Sequence, residues 1–65
     1  MKVVRGKYFI ASKSFPLMFY DEGEAYSDIE DACLFDDKEI CEYALSTYDE
    51  PEECQILKVL VTYEF

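Results

Sequence analysis

The chain has 65 residues, 15 acidic and 6 basic groups, no histidine and a formal net charge of −9. That length makes one domain, residues 1–65, and 51% apolar residues argue against disorder. The absence of histidine excludes Ser-His and Cys-His nucleophile pairs.

The charge is segregated along the chain. Residues 1–20 carry Lys2, Arg5, Lys7 and Lys13 and no acid, a local sum of +4. Residues 21–53 carry fourteen acids against Lys38, a sum of −13, and residues 54–65 balance Lys58 against Glu64. Such a field repels phosphate and attracts basic protein surfaces, so direct nucleic-acid binding is not expected.

Residues 3–12 read as a strand rich in Val, Tyr, Phe and Ile, with Tyr8 and Ile10 on one face and Phe9 and Ala11 on the other. Leu17 to Tyr20 read as a second strand after Pro16, and the pair suits an antiparallel hairpin. Asp21-Glu22-Gly23-Glu24 is the next turn. Ser27 to Glu30 fits an S-x-x-E capping box and predicts a short helical turn; Cys33-Leu34-Phe35 reads as either a short strand or a packing corner. Asp36 is the predicted N-cap of the main helix, with Glu39 at the third helical position. Behind it Ile40, Cys41, Ala44, Leu45 and Tyr48 form one apolar stripe, and Pro51 marks the end. Residues 54–65 read as the strongest strand. Leu57, Val59, Val61, Tyr63 and Phe65 share its more apolar face, which is expected to meet the helix.

These elements predict an α+β domain in the order β-β-α-β: an antiparallel sheet of about three strands, the C-terminal one central, with one helix on one face. The expected core is Tyr8 or Phe9, Ile10, Leu17, Phe19, Phe35, Ile40, Ala44, Leu45, Leu57, Val59 and Val61.

No catalytic, cofactor or metal site is expected. Cys33, Cys41 and Cys54 cannot close a four-ligand zinc site, and their odd number argues against a disulfide scaffold. Glycines occur only at 6 and 23, so there is no phosphate-binding glycine loop. An EF-hand frame started at Asp21 fails at Gly23, Ala25 and Ala32. No apolar run approaches a membrane span, and the charged start lacks the apolar core of a signal peptide; the expected location is the cytoplasm.

The candidate functional surface is a set of tyrosines interleaved with carboxylates: Tyr20, Asp21, Glu22, Glu24, Tyr26, Asp28, Glu42, Tyr48, Asp49, Glu50, Glu52 and Glu53. Tyrosine is enriched at interface hot spots, and carboxylates steer association with basic partners. The expected partner is a basic protein that would otherwise bind nucleic acid, met by an array of carboxylates in place of phosphates. The alternative is a self-associating accessory protein, a homodimer, with no enzymatic role.

The motif Ala32-x-Leu34-Phe35-Asp36-x-Lys38-Glu39, followed by a helix and then Ile56-x-Lys58-Val59-x-Val61-Thr62-Tyr63-Glu64, resembles small early proteins encoded by phages of Gram-positive bacteria. Their lysine-bearing first strand is matched by Lys7-Tyr8-Phe9-Ile10. The resemblance covers about two-thirds of the chain, and its motifs are structural, so no functional residue carries over. It implies a viral context, with the protein in the host cytoplasm and the partner a host protein, such as a defence enzyme, that is inhibited or redirected.

Overall fold

In a computed structural model describing residues 1–65, two long strands form the backbone of the molecule. β1 (Lys2–Ser12) and β4 (Cys54–Glu64) pair antiparallel without interruption, from Lys2 opposite Glu64 to Ser12 opposite Cys54. β2 (Phe19–Asp21) joins the other edge of β1 through Ala11 opposite Phe19, and β3 (Glu24–Tyr26) pairs with β2. The result is a four-stranded antiparallel sheet in the order β3-β2-β1-β4, with one helix, α1 (Lys38–Ser46).

This corrects two expectations. There are four strands rather than about three, because the acidic run after β2 turns back as a hairpin. β4 lies at an edge, and β1 takes the central position. Glu22 and Gly23 connect β2 to β3 with φ of 50° and 83°. Positive φ at both central residues is the type I′ pattern, whose twist matches that of paired strands.

The chain then makes a single 3-10 turn at Ile29–Asp31, capped by the Asp28 carboxylate, which accepts from the Glu30 amide at 2.9 Å. The turn was expected; its cap is Asp28 rather than Ser27. Phe35 next pairs with β1: Tyr8 and Phe35 exchange two backbone hydrogen bonds of 2.8 and 2.7 Å. Asp36 therefore reaches the Lys7 ammonium and forms an ion pair with it. The cap of α1 falls to Asp37, whose carboxylate accepts from the Glu39 amide at 2.8 Å. The helix start is thus one residue later than the Asp36 reading, because Asp36 is held by β1.

The core lies between α1 and one face of the sheet. Ile10, Cys41 and Cys54 are its buried centre, with Tyr8, Tyr20, Phe35, Ala44, Leu45, Tyr48 and Ile56 packed around them. Ile10 stands opposite Ile56, so the even-numbered residues of β4 face the helix. Leu57, Val59 and Val61 consequently lie on the other face, half-buried, which reverses the expected face of this strand. That second face has a smaller cluster of its own. Phe9 and Ala11 are buried there, and the Phe9 ring sits 5.8 Å from Phe19. Ile40 is 59% exposed and belongs to no core, because Cys41 occupies the centre of the inward stripe and turns its neighbour outward.

Ser12 is the one buried polar residue, and its hydroxyl is satisfied. It accepts from the Met18 amide at 2.8 Å and donates to the Ser14 carbonyl at 3.1 Å, fastening the loop between β1 and β2. No helix is long and apolar enough to cross a membrane.

Candidate functional site

The β2–β3 hairpin and the C-terminal end of α1 enclose an open groove of about 980 Å³. Pairing of β2 with β1 brings Tyr20 to its floor beside Phe35 and Cys54. The tight turn sets Glu22, Gly23 and Glu24 on one rim. The helix end and the 3-10 turn at Pro51–Glu53 set Asp49, Glu50 and Glu53 on the other, with Tyr48 joining Tyr20 on the floor. Segments separated by more than twenty residues thus converge on one acidic, tyrosine-floored concavity.

Seven of the twelve expected partner-binding residues line this groove: Tyr20, Glu22, Glu24, Tyr48, Asp49, Glu50 and Glu53. Tyr26 stands just outside and donates its hydroxyl to Glu24 Oε2 at 3.0 Å, tethering one rim carboxylate. Asp21 lies at the end of β2 opposite Glu24. Asp28 is used as a cap. Glu42 lines a separate shallow depression with Leu45, Ser46, Pro51 and Ile56. Glu52 is exposed but is not part of the groove lining. Cys33, Phe35, Ala44, Thr47 and Cys54 line the groove without having been expected there. Cys33, Phe35, Ala44 and Cys54 are legible in the sequence only as apolar positions, which mark a floor as readily as a core, and Thr47 carries no signal there.

No base stands among the lining residues. The two ion pairs of the molecule, Lys2 with Glu64 at 3.3 Å across the long strands and Lys7 of β1 with Asp36, both lie outside the groove lining. None of the rim carboxylates forms an ion pair within the molecule.

The floor resists ionisation. The Tyr20 phenol is held above its ordinary range, first by the Cys54 thiol beside it and then by burial. Burial also raises Tyr48, against the stabilising effect of the Gly23 backbone on its ionised form. Cys33 is raised by burial and by Asp21 and Glu22. Cys41, fully buried on the inner face of the helix, is pushed up to about 11, first by burial. Thiolate chemistry near neutral pH is thus disfavoured at both of these cysteines. No three His, Cys, Asp or Glu side chains are grouped to hold a metal ion.

Comparison with protein-family models, with curated proteins and with solved structures finds no match for this chain.

Proposed function

We propose that the groove is a docking site for a basic segment of another protein. In the viral context that the sequence resemblance implies, the protein is an inhibitor or modulator of a basic host protein, such as a nucleic-acid-binding or defence enzyme. The observation that carries this reading is the convergence of Glu22, Glu24, Asp49, Glu50 and Glu53 around Tyr20 and Tyr48 with no cation among them.

The physical logic has two parts. Unpaired carboxylates raise the local concentration of a basic partner and accelerate encounter, an effect that weakens as salt rises. Tyrosine rings supply apolar contact area while keeping a polar tip, which suits lysine and arginine stems. A carboxylate-lined groove can occupy the cationic site by which such a partner would hold phosphate, without itself resembling a duplex over a long span.

The test is capture from a lysate of a Gram-positive host, with two neutralised variants in parallel. Glu22→Gln/Glu24→Gln alters one rim and Asp49→Asn/Glu50→Gln/Glu53→Gln the other. A basic protein retained by the parent, lost by both variants and released by salt is the expected result. Identical retention by all three proteins, or retention of nucleic acid alone, refutes the reading.

A further inference from the structure

Away from the groove, the outer edge of β4 is an open strand edge, and its sequence is complementary to itself. The amide of Phe65 donates to the Met1 carbonyl at 2.8 Å and the Met1 ammonium to the Phe65 carbonyl at 3.1 Å, so residues 1 and 65 are a hydrogen-bonded pair. At the opposite end the Lys13 amide donates to the Glu53 carbonyl at 3.0 Å, in the same parity. Antiparallel pairing alternates, so the odd residues of β4 bond to β1 and the N–H and C=O groups of Lys58, Leu60, Thr62 and Glu64 point outward. β4 has no strand partner on that side. Side chains along it are also exposed: Leu60 by 66%, Tyr63 by 43% and Phe65 by 81%.

Proteins blunt such an edge with bulges, prolines or charged side chains, lysine above all. β4 has neither a bulge nor a proline, and its one lysine, Lys58, is offset by Glu64. It is continuous, proline-free and electrically balanced, in a chain of net charge −9. Two copies can therefore meet along it with little of the repulsion that their acidic halves impose.

We infer that this edge pairs with the same edge of a second copy, antiparallel about a two-fold axis at Val61, giving one continuous eight-stranded sheet. Parity requires an outward residue to face an outward residue, which limits the axis to a residue position rather than a point between residues. Among the possible positions, an axis at Lys58 opposes like charges, and axes at Val59, Leu60 or Thr62 leave Lys58 and Glu64 without each other. The axis at Val61 places Lys58 of each copy opposite Glu64 of the other. It also sets Leu57 opposite Phe65, Val59 opposite Tyr63 and Leu60 opposite Thr62, so apolar side chains adjoin on both sides of the axis. Glu64, already 3.3 Å from Lys2, then lies between two lysines. Because Val61 lies toward the end of β4 remote from Cys54, the two acidic grooves point to opposite ends of the dimer.

Sedimentation velocity over a wide protein concentration range is the test, with three variants. The parent is expected to show a reversible monomer–dimer equilibrium. Lys58→Glu and Glu64→Lys each place like charges opposite one another twice, and each is expected to weaken dimerisation at least about tenfold. The combined Lys58→Glu/Glu64→Lys variant restores the complementary pairs and is expected to recover dimerisation. Leu60→Pro removes an outward donor that the β1 ladder does not use, so it is expected to yield a folded monomer. If that variant does not fold, the charge-reversal set decides alone. A parent that remains monomeric overturns the inference. So does a dimer indifferent to the single reversals, or one that the combined reversal fails to restore.

Discussion

The Tyr20 ring rests on the Tyr48 ring, tilted by 41° with centroids 5.7 Å apart, and this contact ties β2 to the end of α1. It forms the floor of the groove and closes the core at once. Aromatic pairs of this kind contribute about 0.5–1.5 kcal/mol beyond burial. A double-mutant cycle on Tyr20→Leu and Tyr48→Leu, read by chemical denaturation, is expected to return a coupling energy in that range. A coupling near zero would mean that the rings are neighbours without being partners.

Helix capping gives a sharp contrast between adjacent residues. Asp37→Ala removes the acceptor of the Glu39 amide and is expected to cost about 0.5–2 kcal/mol. Asp36→Ala removes only an ion pair whose carboxylate is largely exposed, and is expected to cost no more than about 1 kcal/mol. Urea midpoints of the two variants decide the order.

The β2–β3 turn isolates backbone strain. A Cβ on Gly23 would meet nothing within 4 Å, yet φ there is +83°. Gly23→Ala is therefore expected to destabilise by roughly 1–2 kcal/mol through conformation alone. Glu22→Asn, at φ of 50°, is expected to stabilise slightly, because Asn tolerates the left-handed region. Thermal midpoints moving in opposite directions would establish both effects.

Alkaline pH should loosen the core through Cys41. Its thiol is raised from an ordinary 9.0 to about 11 by burial, so the folded state holds a proton that the unfolded state releases sooner. The associated stability is fully present below pH 9 and is lost as pH rises toward 11. Denaturation midpoints are expected to fall across that window, and less steeply in Cys41→Ala. At pH 8, a thiol reagent is expected to modify half-buried Cys33 before Cys41 and Cys54. Equal rates at all three would show that the core opens readily.

The parts of this fold legible in the sequence are those set by local chemistry. The two long strands, the turn at Asp21–Glu24, the helix stripe through Cys41, Ala44, Leu45 and Tyr48, and the segregation of charge all follow from neighbours within a few positions. What escaped depends on distant pairing. Either face of β4 could have met the helix, and the odd face is the more apolar; Ile56 faces inward because β1 fixes Ile10 opposite it. Asp36 and Asp37 are equivalent as caps until Phe35 pairs with Tyr8 and Asp36 finds Lys7. β3 is three residues long and acidic, so only the geometry of its turn reveals it. The groove was legible as a list of tyrosines and carboxylates. Its membership was not, since a position such as Glu42 is placed elsewhere by the rotation of the helix.

The charge segregation, laid onto this elongated body, gives the molecule a direction. Lys2 and Arg5 sit on the paired β1–β4 ribbon beyond the helix, while the groove carboxylates gather at the other end of β4, around Cys54. With a long dimension of 41 Å against 16 Å in the shortest, the two ends are several Debye lengths apart at physiological salt. In a single copy such an asymmetry couples to an external field as a torque as well as a pull. In the two-fold pair inferred above, the two asymmetries oppose one another and only the pull is left.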